Sequence, residues 1–336
     1  MKTLRLNSTT YPMTPEETNH YEKAGVEIIC REQVDAPAEV TLLARIDAIA
    51  VVAAKLNADM ITRMVKCRAI GRYGTGTDNI DKAEATAQGI VVTNVPDFCL
   101  SEMADHTMAL LLGLARRLVV MDRSTRTGDW QARVRQPVRR VAGKTLGLIG
   151  FGRIGKEVAR RAAAFDLRTV VFDPFVDHDA AEQFHVTPLT LPELLRASDF
   201  VSLHLPLTPE TLHFIGEAEL RLMKPTAFLI NTARGAVVDE SALVKALGEG
   251  WIGGAGLDVF EGLAMFDPDP TVPEHPFFQL DNVILTPHSG GCSVESLEQL
   301  CREGAQQVIS VLKGNWPTHC VNPEVIPRQA LLRTSS

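Results

Sequence analysis

The sequence predicts an α/β chain built on a doubly wound parallel sheet, and three observations carry that expectation. Short apolar runs of strand length alternate with stretches of helical period along nearly the whole chain. Residues 143–174 read strand, glycine turn, helix, strand and acid in immediate succession. Polar residues gather directly after the ends of the apolar runs, which is the edge where open α/β sheets bind ligands.

The chain has 336 residues, enough for two domains of ordinary size, each with its own core. It is 45% hydrophobic and 22% charged, as a globular protein is, and its net charge of −7 argues against a nucleic-acid surface. Six scattered cysteines form no C-x-x-C pair and no zinc spacing, so neither a disulfide scaffold nor a metal site is expected. The first residues carry no apolar signal core and no run reaches membrane-spanning length, so a cytoplasmic protein with no membrane partner is expected.

In chain order, residues 15–24 read as a helix with Thr14 as cap and Pro15 in its first turn. Residues 26–30 and 48–52 are strands, and 61–67 is a further helix. The stretch GRYGTGTDNID, residues 71–81, has too many glycines and threonines for a helix. It suits a loop that turns backbone N–H groups towards an anion. A helix at 82–88 and a strand at 90–93 complete a small open-sheet unit. Residues 101–118 form one long helix capped by Ser101, with Met108, Leu111, Leu112 and Leu118 on its apolar face. Eight arginines between 116 and 140 follow, and a solvated helix and loop at a subunit contact fits them better than a nucleic-acid patch.

Residues 146–149 are the strand that leads into Gly150, Gly152 and Gly155. Gly150 permits the tight turn, Gly152 leaves room for a pyrophosphate, and Gly155 lets the helix at 156–165 approach the sheet. A pyrophosphate there meets the unpaired N–H groups of the helix start. The next strand, 169–172, ends at Asp173, which accepts from ribose hydroxyls and repels a 2′-phosphate, so the expected cofactor is NAD. Helices at 191–197, 241–247 and 294–313 and strands at 200–204, 228–231, 253–259 and 283–286 continue the alternation.

Three polar groups stand at strand ends in the second half: Arg234, Asp258 with Glu261 close behind, and His288. Moving a hydride to or from a carbinol carbon needs a fixed cation for the substrate carboxylate and oxygen, and a guanidinium grips both. It needs a proton acceptor that titrates near neutral pH, which suits His288, and often a carboxylate that orients the imidazole. His106, His204 and His213 read as structural histidines.

Together, GTGTDNID, NVPDFCLSEMADHTMALLL, GLIGFGRIG, LMKPTAFLINTARGAVVDE and LTPH resemble the D-isomer-specific 2-hydroxyacid dehydrogenases over about residues 46–322. The resemblance implies a Rossmann cofactor domain, residues 102–288, inserted into a flavodoxin-like substrate domain made of residues 1–101 and 289–336. It implies a cleft at two crossings, near Ser101 and His288, and a homodimer through the cofactor domains. Arg234, His288 and Glu261 are the expected catalytic residues, and Lys55, Gly74, Thr75 and Gly76 the substrate contacts. Cofactor contacts fall on Thr107, Gly150, Gly152, Arg153, Ile154, Gly155, Asp173, Pro206, Thr211, Thr232, Ala233 and Asp258.

One departure bears on the site. The family's histidine partner usually stands five residues after the strand-end aspartate, where this chain has Leu263. Glu261, two residues earlier, is expected to serve in its place. The loop after the second strand of the first domain carries only Lys55 as a base, which favours a small 2-oxo acid over a phosphate-bearing substrate such as phosphoglycerate. The expected function is therefore NAD-dependent interconversion of a small D-2-hydroxy acid and its 2-oxo acid. FDPF, GIVVTNVP and the HCVNPE tail also resemble the NAD-sensing C-terminal-binding co-repressors. Retention of both Arg234 and His288 favours the enzyme.

Overall fold

A computed structural model describes residues 1–9, 11–34, 37–135, 138–261 and 274–333. The chain divides into two compact units, one formed by residues 1–99 and 293–333, the other by residues 100–261 and 274–292.

The first unit alternates β1 (Lys2–Arg5), α1 (Pro15–Lys23), β2 (Glu27–Cys30), α2 (Pro37–Leu43), β3 (Ala48–Val51), α3 (Ala58–Thr62), β4 (Ala69–Arg72), α4 (Lys82–Ala87) and β5 (Val91–Thr93). All pairs are parallel, in the order β2-β1-β3-β4-β5, the flavodoxin-like order. The two-residue side-chain period divides the strands between two cores. Ile49, Ile70 and Val92 pack with Leu4, Leu43 and Met64, while Ala48, Ala69 and Val91 face Ala305, Val308 and Val311 of the C-terminal helix Val294–Leu312. Small residues on that second face let the helix come close. A Cβ on Gly71 would overlap the Val308 side chain.

The second unit opens with α5 (Leu100–Ala115), α6 (Leu118–Arg126) and α7 (Ala132–Arg135). Then follow β6 (Thr145–Ile149), α8 (Arg153–Ala163), β7 (Arg168–Phe172), α9 (His178–Gln183), β8 (Thr187–Pro188), α10 (Leu191–Ala197) and β9 (Phe200–Leu203). The remaining elements are α11 (Glu217–Leu222), β10 (Phe228–Asn231), α12 (Glu240–Gly248), β11 (Gly254–Leu257) and β12 (Val283–Leu285). Its seven parallel strands run β12-β11-β10-β9-β6-β7-β8, the doubly wound arrangement, with the reversal of order beside β6. Leu146 and Leu148 of β6 face the core under α5 and α8, and Ile149, Val201 and Leu229 face the one under α10 to α12.

Two elements depart from the sequence expectation. The helix expected at 101–118 starts at Leu100 and is broken at Arg117, whose φ of 54° is left-handed. The Arg117 guanidinium lies 5.7 Å over the Phe228 ring, a contact that favours the break. Ser101 lies inside the first turn, where its hydroxyl accepts from Arg161 Nη2 at 2.7 Å and is not the cap. The helix expected at 61–67 forms at Ala58–Thr62, because Asn57 Oδ1 accepts from Met60 N at 3.0 Å and starts it earlier. Among the described residues no helix is long and apolar enough to cross a membrane.

Candidate active site

The cofactor end is built by β6, α8 and β7. Gly150 takes φ of 95°, and a Cβ there would meet the His204 carbonyl oxygen at 2.6 Å. A Cβ on Gly155 would meet the Gly150 carbonyl oxygen at 2.5 Å, so the turn is as tight as backbone allows. Gly152, the N-cap of α8, is different: a Cβ there meets nothing within 4 Å, and no side chain caps the helix. That opening before uncapped N–H groups fits a pyrophosphate. Asp173 stands beside it, with Oδ2 accepting from Phe151 N and Oδ1 from Phe175 N, both at 2.8 Å. Arg153 is exposed and Ile154 half-buried at the helix start. Thr107 on α5 shares a 3.1 Å hydroxyl contact with Thr232, both buried. Thr211 Oγ1 donates to the Pro206 carbonyl at 2.6 Å and fixes the turn after β9. His204 lies at the start of that turn, where burial holds its imidazole down to about 4.

Arg234 follows β10. The buried Asn231 closes its turn, accepting from Ala233 N at 3.0 Å and donating to the Arg234 carbonyl at 2.9 Å. Arg234 itself is extended and half-buried. His288 follows β12. The two neighbours of β11, β10 and β12, thus deliver the guanidinium and the imidazole to one edge of the sheet.

Asp258, at the end of β11, organises the His288 loop. Its Oδ1 accepts from Thr286 Oγ1 at 2.5 Å and Ser289 N at 2.9 Å, and its Oδ2 from Gly290 N at 2.9 Å. His288 N donates to the Asp258 carbonyl at 3.0 Å, and His288 is held at φ of 54°. Burial alone would raise the Asp258 carboxyl. The bonds from His106, Thr286, Gly290 and Ser289 outweigh it and hold it below the ordinary carboxylate range. Both oxygens of Asp258, expected among the cofactor contacts, accept from the loop that carries His288. His106, read from sequence as structural, supports that loop from α5, its Nε2 lying 2.9 Å from Thr286 Oγ1.

Glu261, expected to pair with His288, is bonded to His213 in the structure. Both its carboxylate oxygens lie on His213 Nε2, at 2.9 and 3.0 Å. His213 N is itself bonded to the Ala236 carbonyl at 2.8 Å, in the turn after Arg234. Position 263 lies outside the described residues.

In the first unit, Gly74 opens the anion-loop candidate with φ of 142°. Val95 N donates to the Gly74 carbonyl at 3.1 Å and Asn94 Nδ2 to the Thr75 carbonyl at 2.8 Å, which leaves Thr75 exposed and Gly76 half-buried. The Lys55 turn is joined to this loop, because Asn79 Nδ2 donates to the Ala54 carbonyl at 2.8 Å and Leu56 N to the Asn79 carbonyl at 2.8 Å. Lys55 is exposed. Sequence reasoning missed Asn7, whose Oδ1 accepts from Ala53 and Ala54 N at 2.9 Å and shapes the Lys55 turn.

This arrangement matches known proteins. Residues 108–290 match the family of the D-isomer specific 2-hydroxyacid dehydrogenase NAD binding domain. A glyoxylate reductase of Korarchaeum cryptofilum is 44% identical over 274 residues, 81% of each chain. The solved TT0316 protein of Thermus thermophilus aligns with a TM-score of 0.83 and 35% identity, over 96% of this chain and all of that one. D-lactate dehydrogenase of Aquifex aeolicus, solved with NAD and lactic acid, aligns at 0.83 and 31% identity, over 93% and 96% of the two chains. The chain belongs to the D-isomer-specific 2-hydroxyacid dehydrogenases. It is an NAD-dependent oxidoreductase that interconverts a small D-2-hydroxy acid and its 2-oxo acid.

Proposed function

We propose that the chain reduces glyoxylate or a close relative among small 2-oxo acids, with Arg234 and His288 as its catalytic pair. The observation that carries this reading is the delivery of a guanidinium and an imidazole to one sheet edge from strands flanking Asp258. The 44% identity to a glyoxylate reductase supports the substrate class. Gly150, Gly152, Gly155 and Asp173 hold the dinucleotide, aided by Thr107, Arg153, Ile154, Pro206, Thr211, Thr232 and Ala233. The bound nicotinamide supplies or accepts the hydride. Arg234 grips the substrate oxygens and polarises the carbonyl. His288 donates a proton to the oxygen in reduction and removes it in oxidation. Asp258 keeps the His288 loop in register, and Glu261, bonded to His213, backs the Arg234 turn.

The first unit acts as the substrate domain, where residues 74–76 offer N–H groups to a carboxylate and Lys55 adds positive charge. The second acts as the cofactor domain and the surface of a homodimer. Exposed Leu118, Val119, Trp130 and Val134 on α6, α7 and the turn between them support that surface. Six free cysteines support a reducing, cytoplasmic setting. The test is NADH oxidation against glyoxylate, hydroxypyruvate, pyruvate and a phosphorylated 2-oxo acid. Glyoxylate should give the highest kcat/KM and NADPH a lower one than NADH. Tight NADH binding with no turnover on any acid would instead support a dinucleotide-sensing protein.

A further inference from the structure

We infer that Glu240 is a positioning residue for Arg234, acting by stapling two chain segments together behind the Arg234 turn. The inference rests on the role proposed above for Arg234. Glu240 is the first residue of α12, where an acid commonly serves the helix end. Here the cap is already supplied by Asp239, whose Oδ1 accepts from Ala242 N at 3.0 Å. The Glu240 carboxylate is used elsewhere. Its Oε2 accepts from Glu261 N at 2.8 Å, on the segment leaving β11. Its Oε1 lies 2.8 Å from His275 Nε2, on the segment that leads into the 3-10 turn Pro276–Gln279.

The tautomer follows from the second ring nitrogen. His275 Nδ1 accepts from Phe277 N at 3.3 Å, so Nε2 carries the proton and donates to Glu240. The ring is packed against Phe277, 4.8 Å between centroids, and stands 6.3 Å from Phe260. Glu261, whose backbone is held by Glu240, binds His213 with its side chain. His213, Glu261, Glu240 and His275 therefore form one continuous chain of bonds.

That chain ends against Arg234. A Cβ on Gly235 would overlap the carbonyl group of Phe260, so the turn carrying Arg234 rests directly on the segment that Glu240 holds. His213 N donates to the Ala236 carbonyl at 2.8 Å on the other side of the same turn. Releasing the Phe260–Glu261 backbone removes the floor under Gly235 and lets the guanidinium drift. A misplacement of about 1 Å at a catalytic group costs on the order of a hundredfold. The Asp258 loop that carries His288 is held by separate bonds and should not follow.

The test compares the full-length enzyme with Glu240→Ala and Glu240→Gln, measuring glyoxylate reduction and NADH binding by fluorescence. Glutamine can serve either Glu261 N or His275 Nε2 but not both with an oxygen, so its effect should lie between wild type and alanine. The expected result for alanine is a loss in kcat/KM of about tenfold or more, with NADH affinity within about twofold. A merely structural role would add to any other lesion. A role exerted through Arg234 should not: in an Arg234→Lys background, Glu240→Ala or Glu240→Gln should cost little further. Normal kcat/KM, or losses that multiply fully in the double variants, would overturn the inference. If Glu240→Ala does not fold, the Glu240→Gln series decides on the same terms. Near-normal turnover by Arg234→Ala would instead refute the Arg234 reading itself.

Discussion

Asp258 and His204 show how burial and bonding set single residues before any ligand binds. Asp258 is buried, yet donors gathered around it keep its carboxyl acidic and fix His288 in a left-handed backbone. His204 has the opposite outcome, since burial alone depresses its imidazole to about 4. The unfolded chain takes up a proton there near pH 6.5, while the folded one resists until about 4. Below pH ~6.5 the unfolded state therefore binds more protons, and stability present above that pH is lost as it falls towards 4. Replacing His204 by Gln should flatten that part of the curve, as read by urea midpoints between pH 7 and 4. An unchanged slope would show that the acid sensitivity lies elsewhere. Arg234, His288 and Asp173 were legible in the sequence because each follows an apolar strand within a few residues. The partner of Glu261 was not, because His213 lies 48 residues away and only the fold brings it near.

At the scale of elements, the glycine turn separates two demands that a motif alone merges. Gly150 and Gly155 are required by the fold, whereas the space at Gly152 is left for a ligand. Gly150→Ala should cost roughly 1–3 kcal/mol of stability, because a left-handed backbone and a carbonyl clash act together. Gly152→Ala should change stability by less than about 1 kcal/mol and weaken NADH binding at least tenfold. Thermal melts beside fluorescence titrations distinguish the two, and equal losses of stability would contradict the assignment. Strands with plain apolar runs, such as β6 and β9, were read correctly from sequence. β1 escaped notice because charged Lys2 and Arg5 stand at its two ends, and Arg5 is buried only because the fold gives its guanidinium Glu17 on α1 at 3.0 Å, the Leu6 and Tyr11 carbonyls and the Tyr73 ring. The break at Arg117 was hidden for a similar reason, since Phe228 lies over a hundred residues away.

Across the whole molecule, two parallel sheets with different strand orders divide the work expected of a dehydrogenase. The seven-stranded sheet lines up Asp173, the glycine turn, Arg234, Asp258 and His288 after the ends of its strands. The five-stranded sheet presents the 74–76 loop and the Lys55 turn, joined through Asn79. Which small acid is reduced was not legible, because it depends on the shape of those turns rather than on any motif. The account stands on the guanidinium and imidazole acting together on one substrate. The most direct measurement is kcat/KM for NADH-dependent glyoxylate reduction by wild type, Arg234→Ala and His288→Gln, with NADH affinity measured in parallel. The account predicts losses of roughly a hundredfold or more in each variant, with NADH affinity held within about twofold. Near-normal turnover in either variant would contradict it.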